Sequence, residues 1–153
     1  MPQLCLQIQS QLENVALIGT SIKGICSLTP LSTEVVDALQ IAIVEWVNNV
    51  IEHSYIYSTV QLIIVEITLS KNSLLISVTD NGCGMQSYLL NTAEMPMINP
   101  DDIANLPEGG FGLAIIKQTM DEVVYYSTGY KHTLWMKKHF QTDNGNSSRE
   151  VVL

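Results

Sequence analysis

Residues 44–55 have the sequence VEWVNNVIEHSY, in which polar residues interrupt an apolar stretch at helical spacing. Glu45, Asn49 and His53 follow one another at intervals of four residues. An α-helix of about 3.6 residues per turn brings such positions to one face. The stretch therefore predicts a helix with one polar stripe and one buried side. The apolar side carries Leu39, Ile43, Trp46, Val47 and Val50.

The polar stripe has two interpretations, and a solvent-exposed face is the commoner one for such a helix. Asparagine, however, is a poor residue for an exposed helix interior, and Asn48 and Asn49 are adjacent. The sequence of this face also contains none of the lysines that a salt-bridged surface helix normally shows. A carboxylate and an amide oxygen one turn apart can instead hold a hard cation and orient a nucleophile.

Two elements precede this helix. Residues 3–9 alternate polar and apolar, which predicts a half-buried strand. Apolar residues recur at helical spacing over about 13–27 and predict a first helix. The segment LTPLSTE breaks that pattern, and either Ser32 or Thr33 can cap the next helix. The long helix is then predicted over about 34–54.

The rest of the chain contains two pairs of strands and a long loop. Residues 60–70 and 73–80 are rich in β-branched residues and predict a hairpin. Residues 86–108 have no clear period and contain prolines, which is typical of a functional loop. A glycine-rich turn then leads into a short helix. Residues 122–127 and 132–140 predict two further strands joined around a glycine.

This order of elements predicts an α+β fold. We expect a two-layer α/β sandwich, in which a mixed, mostly antiparallel sheet is covered on one face by helices. Residues 1–140 are predicted to form one domain, and residues 141–153 a polar, flexible tail.

Composition limits the classes of function. The chain has 153 residues and a formal net charge of -8, which argues against direct nucleic-acid binding. It has no signal-peptide pattern and no apolar run long enough to span a membrane, so a cytoplasmic location is expected. Cys5, Cys26 and Cys83 have no metal-site spacing and are expected to be buried or half-buried thiols.

Two glycine-rich segments carry the remaining candidate chemistry. TDNGCGM, residues 79–85, is a common turn, but Asp80 could also accept a hydrogen bond from an exocyclic amine. Gly82 and Gly84 would then let the backbone approach a flat ring. PEGGFGLAII, residues 107–116, is either a hinge or an anion site at the start of a helix. It matches neither a P-loop nor a dinucleotide-binding fingerprint.

The order of the three motifs is more specific than any one of them. E-x-x-x-N on a helix, D-x-G-x-G after a strand and G-G-x-G opening a helix resemble the GHKL ATPases of gyrase, histidine kinases and MutL. The chain resembles the anti-sigma-factor serine kinases more closely. VEWVNNVIEHSY is similar to their S-E-A-V-x-N-A-x-x-H-x-Y helix, and EGGFGLAIIKQTMDEVVY to their E-G-G-x-G-L-x-x-x-x-x-x-M-D-E-V segment. The resemblance covers about residues 5–139 and implies the Bergerat, histidine-kinase-like ATPase fold.

The resemblance implies a site for ATP and Mg²⁺. Glu45 matches the family's general base toward a partner's serine, and Asn49 matches its Mg²⁺ ligand. Asp80 matches the residue that receives the adenine amino group. The other nucleotide-binding residues it implies are Gly82, Gly84, Met85, Gly109, Gly110, Phe111, Gly112 and Leu113.

The implied function is phosphorylation of a STAS-domain anti-sigma antagonist by a homodimeric kinase that also binds a sigma factor. One departure concerns charge, because no lysine or arginine occurs from Asn72 to Ile116. This keeps open a second function, a nucleotide-holding switch without kinase activity. The catalytic domain of a sensor histidine kinase ranks third, since no phosphoacceptor helical hairpin is present. His53 is interpreted as a core or capping residue.

Overall fold

The computed structural model describes residues 1–85 and 112–142. Within these residues the chain forms five strands, three α-helices and two short helical turns. The strands are β1 (Gln3–Gln9), β2 (Leu62–Leu69), β3 (Ser73–Asp80), β4 (Glu122–Thr128) and β5 (Lys131–His139). The helices are α1 (Val15–Cys26), α2 (Thr33–Asn49) and α3 (Gly112–Thr119), with a 3-10 turn (Leu12–Asn14) before α1 and a π-helical turn (Val50–Ser54) after α2.

The strands form one sheet in the order β1-β2-β3-β5-β4. The predicted two-layer α+β arrangement is confirmed. A mixed, mostly antiparallel sheet was expected, and within the described residues all four strand pairs are antiparallel. Two helices connect β1 to β2, and their hairpin returns the chain beside β1 in the opposite direction. The sheet register places Asp80 opposite His132.

The core lies between the helices and one face of the sheet. Strand side chains alternate between the two faces, so Ile63, Val65 and Ile67 of β2 all point into this layer and are fully buried. The apolar side predicted for the long helix is buried there as well. Burial of these side chains holds the helical layer on the sheet. No helix in the described ranges is long and apolar enough to cross a membrane.

The long helix begins and ends where the sequence indicates, but its last turn differs. Ser32 is the N-cap, and its Oγ accepts a hydrogen bond from the Val35 N–H at 3.3 Å. Residues 50–54 are π-helical, and the Tyr55 N–H donates to the Val50 carbonyl at 2.8 Å. A wider turn of this kind often occurs at a functional site.

Helices α1 and α2 approach closely at Gly19. A Cβ atom at Gly19 would lie 2.6 Å from Cγ2 of Val44, whereas one at Gly24 would meet nothing within 4 Å. Valine in a helix has one strongly preferred rotamer, so Val44 cannot easily move away. A side chain at Gly19 should therefore destabilise the fold, whereas one at Gly24 should not.

We predict opposite effects of alanine at these two positions. Gly19→Ala should lower the free energy of unfolding by about 1–3 kcal/mol through overpacking. Gly24→Ala should raise it by up to about 1 kcal/mol, because alanine favours the helix. Urea unfolding followed by circular dichroism measures both. Equal effects of the two substitutions would contradict the close helix contact.

Candidate functional site

Glu45 lies directly against the first residue of α3. A Cβ atom added to Gly112 would lie 2.9 Å from Cβ, 3.1 Å from Cγ and 3.2 Å from Cδ of Glu45. Glu45 is half-buried on α2, and Gly112 is buried. The first N–H groups of a helix lack partners within the helix and carry its positive end. The carboxylate therefore lies beside a helix end that favours anions.

Asn49 follows Glu45 by one helical turn, at the junction between α2 and the π-helical turn. Its side chain and that of Asn48 are half-buried, so the stripe is not an ordinary exposed face. Leu113, in the first turn of α3, is buried against the core. Gly109, Gly110 and Phe111, the other predicted residues of this segment, lie outside the described residues.

Asp80 ends β3 and is only 3% exposed. Its Oδ1 accepts hydrogen bonds from Ser54 Oγ at 2.5 Å and from the Gly82 N–H at 2.9 Å. A buried carboxylate is costly unless it is hydrogen-bonded, and these donors offset part of that cost. The π-helical turn after α2 thus reaches the turn that follows β3.

Gly82 and Gly84 lie where side chains would collide with the protein. A Cβ at Gly82 would lie 2.3 Å from the backbone oxygen of Ser54. Gly84 has φ of 76°, and a Cβ there would lie 2.7 Å from the His132 ring. The sequence suggested that these glycines leave space for a flat ligand. The structure supplies a second reason for glycine, namely contact with the protein behind the turn.

Four side chains that the sequence did not single out hold this turn: Ser54, Tyr55, Tyr125 and His132. The Tyr55 hydroxyl donates to the Leu62 carbonyl at 2.5 Å and accepts from the Asn81 N–H at 2.8 Å. The Tyr125 hydroxyl accepts from the N–H of the predicted Met85 at 2.7 Å. His132 Nε2 lies 3.0 Å from the Gly82 carbonyl. Only the pairing of β3 with β5, which local sequence patterns do not reveal, could have identified His132.

The structure therefore brings the predicted motifs to one helix. Glu45 contacts the glycine-rich start of α3, and Ser54, nine positions later, contacts the Asp80 turn. Residues 44–55 thus run between Gly112 and the Asp80 turn. His53 does not share this role, because its side chain is 62% exposed. This exposure contradicts the core alternative for His53, and the capping alternative stays a prediction.

The profile of the histidine kinase-like ATPase domain matches residues 8–138 of the chain. The serine-protein kinase RsbW of Listeria monocytogenes is 33% identical over 132 residues, which are 83% of this chain and 82% of that protein. The chain belongs to the anti-sigma-factor serine kinases of the histidine kinase-like ATPase family. The RsbW kinase of Bacillus cereus is 28% identical over 139 residues, which are 90% of this chain and 85% of that protein.

Two solved structures share the fold. The RsbU and RsbW domains of a Mycobacterium tuberculosis protein match with a TM-score of 0.61 and 16% identity, over 93% of this chain and 35% of that one. This chain thus spans about a third of the mycobacterial chain. The SiaB–SiaC complex of Pseudomonas aeruginosa matches with a TM-score of 0.55 and 10% identity, over 90% of this chain and 89% of that one.

The hydroxyl groups of Tyr55 and Tyr125, which lie near Asp80, keep their protons. Burial raises the pKa of Tyr125, and the negative charge of Asp80 adds to this, while the bond from the Met85 N–H opposes it. Burial likewise raises the pKa of Tyr55, against the effect of the Asn81 N–H. Both hydroxyls therefore stay neutral at physiological pH and can accept from backbone amides.

The described residues suit a metal ion that is bound together with the phosphates of a nucleotide. They contain no group of three or more His, Cys, Asp or Glu side chains that could hold an ion. Asn49 offers an amide oxygen one turn after the Glu45 carboxylate. Magnesium commonly takes one or two protein oxygens and completes its shell with phosphates and water. Asn49 suits that manner of binding.

The three cysteines differ in exposure. Cys26 is buried, as expected, but the expectation of buried or half-buried thiols is wrong for Cys5 and Cys83, which are exposed. Cys83 lies in the Asp80 turn, where its Sγ donates to the His53 carbonyl at 3.2 Å. Burial raises the pKa of the Cys26 thiol to about 11.

We predict that two of the three thiols react in the native protein. At pH 8 a thiol of pKa about 11 is about one thousandth thiolate, and the thiolate is the nucleophile. Cys5 and Cys83 should therefore react rapidly with a disulfide reagent, and Cys26 only after denaturation. Cys83→Ser should remove one of the two fast equivalents. Three fast equivalents in the folded protein would contradict the burial of Cys26.

Proposed function

We propose that this protein is an ATP-dependent protein-serine kinase and anti-sigma regulatory factor of a partner-switching pathway. Its substrate is a STAS-type anti-sigma antagonist. The observation that carries the proposal is the contact of Glu45 with Gly112, which sets a carboxylate beside the anion-favouring end of α3. Membership of the family and the kinase names of its relatives support it.

The nucleotide is proposed to lie between the polar stripe of α2 and the glycine-rich segments. Asp80 accepts the adenine amino group, with the backbone of Gly82, Gly84 and Met85 beside the ring. The proposed phosphate-binding residues are Gly109, Gly110, Phe111, Gly112 and Leu113. Asn49 would hold magnesium, which would neutralise negative charge during phosphoryl transfer.

Glu45 is proposed as the general base. It accepts the proton of the partner's serine hydroxyl as that oxygen forms a bond to the γ-phosphorus and the bond to the ADP oxygen breaks. We propose that a segment of the partner protein reaches this carboxylate through a groove of about 440 Å³ along α2. Gln40, Ile41, Val44 and Asn48 line the groove together with Glu45.

The second candidate function is a nucleotide-holding switch that binds partners without transferring phosphate. The charge distribution favours it, because no lysine or arginine occurs from Asn72 to Ile116. A cation beside the phosphates stabilises charge that develops during transfer. Without one from this segment, transfer depends on Mg²⁺, backbone amides or a partner's residue.

The protein's assembly is also a proposal. We infer a homodimer that alternates between a STAS-domain antagonist and a sigma factor, in the cytoplasm and without direct contact to nucleic acid. Residues 1–140 form the catalytic domain in this proposal, and residues 141–153 a tail. The net charge of -8 agrees with protein partners in place of nucleic acid.

We predict that Glu45→Gln lowers phosphoryl transfer to the STAS protein by at least about 100-fold, since a general base contributes about that much or more. Nucleotide binding should persist, because the amide keeps the shape of the side chain. Labelled ATP, Mg²⁺ and the STAS protein from the same genomic neighbourhood provide the assay, with calorimetry for binding. Glu52→Gln, on the same helical stretch, is the matched control. Absence of transfer by the wild type to a verified partner would favour the switch function.

We predict that Asn49→Ala removes the magnesium-dependent part of ATP affinity. Binding measured by calorimetry with Mg²⁺ and then with EDTA should differ strongly for the wild type and little for the variant, because one metal ligand is lost. Asn48→Ala removes the adjacent amide, and it should retain the difference. A wild-type response in Asn49→Ala would exclude Asn49 as the metal ligand.

A further inference from the structure

Ser54 occupies an unusual position between the helical layer and the candidate adenine site. It is 3% exposed and ends the π-helical turn. Its Oγ donates to Asp80 Oδ1 at 2.5 Å and accepts from the Gly84 N–H at 2.9 Å. Its backbone oxygen accepts from the Cys83 N–H at 2.9 Å. One residue therefore contacts the carboxylate and both amides that follow Gly82.

These contacts fix the orientation of the Asp80 carboxylate. Within residues 1–85 and 112–142, both hydrogen bonds to its side chain end on Oδ1, from Ser54 and Gly82. The second torsion of an aspartate is intrinsically broad, so a carboxylate held by one donor would rotate more freely. Two donors on one oxygen define the plane and leave Oδ2 as the acceptor edge.

We propose that Ser54 is a positioning residue that determines the selectivity of this site for adenine. It holds Asp80 so that Oδ2 meets the exocyclic amine of the base in a fixed geometry. The inference rests on the proposed function, because it assumes that adenine lies against Asp80. It goes beyond that function by assigning base selectivity to a hydroxyl of the π-helical turn.

A structural role for Ser54 makes a different prediction from a positioning role. Loss of the bond from the Gly84 N–H loosens the turn, and that weakens every nucleotide equally. Loss of the bond to Asp80 weakens only a ligand that donates to the carboxylate. The affinity ratio between ATP and purine riboside triphosphate, which lacks the amine, isolates the second effect.

The test is calorimetric titration of the full-length protein with both nucleotides and Mg²⁺. The wild type should bind ATP at least about tenfold more tightly than the analogue, as expected for a hydrogen bond to a charged group. Ser54→Ala should narrow this ratio by about threefold or more. Ser10→Ala is the matched control, because Ser10 is also fully buried and, among residues 1–85 and 112–142, its hydroxyl bonds only to the backbone at Ser58 and Gln61.

Each result decides between the two roles. A ratio that narrows in Ser54→Ala and not in Ser10→Ala supports the proposal. An unchanged ratio in Ser54→Ala, with both affinities lowered, overturns it. If Ser54→Ala does not fold, Ser54→Cys leaves no empty space and replaces the hydroxyl with a somewhat larger group that is a weak donor, and the same narrowing of the affinity ratio is expected. Absence of adenine-nucleotide binding by the wild type would instead overturn the proposed function, and this inference with it.

Discussion

The absence of side chains at Gly112 and Gly82 lets two separate segments close onto one helix. Gly112 allows the start of α3 to lie against Glu45, and Gly82 allows the turn after β3 to lie against Ser54. Any larger residue at either place would have to displace a neighbour, because the gaps are shorter than a normal carbon contact. The positions of these two segments along residues 44–55 therefore depend on glycine at both places.

Charge is the second constraint on how such a site works. The chain is acidic overall, with seven lysines and arginines against fifteen aspartates and glutamates. A polyphosphate approaching Glu45 would meet like charge, so its binding requires local compensation. Backbone amides at the start of a helix provide this without a formal charge, and a divalent cation provides the rest. If the chain has the proposed kinase function, phosphoryl transfer should therefore depend strongly on the metal.

The sequence predicted the two layers of the fold because the spacing of apolar residues within each helix or strand is a local pattern. The 3.6-residue spacing of Leu39, Ile43 and Val50 and the two-residue alternation in β2 each report a buried face without reference to distant residues. The partners of Asp80 were not predictable in this way. His132 reaches the turn through the pairing of β3 with β5, across about fifty residues of chain, and no local pattern encodes that register. The direct contact of Gly112 with Glu45 likewise depends on how α3 packs on α2.

The exposure of His53 follows from one local change in the helix, the π-helical turn at residues 50–54. The alignment of Glu45, Asn49 and His53 holds only if the α-helix continues unchanged, since it assumes about 3.6 residues per turn. Residues 50–54 instead form an i→i+5 turn, which contains more residues per turn and shifts every later side chain around the axis. His53 is exposed, while the hydroxyl of Ser54 reaches Asp80. The wider turn thus separates Glu45 and Asn49, which lie one α-helical turn apart, from Ser54, whose hydroxyl contacts Asp80.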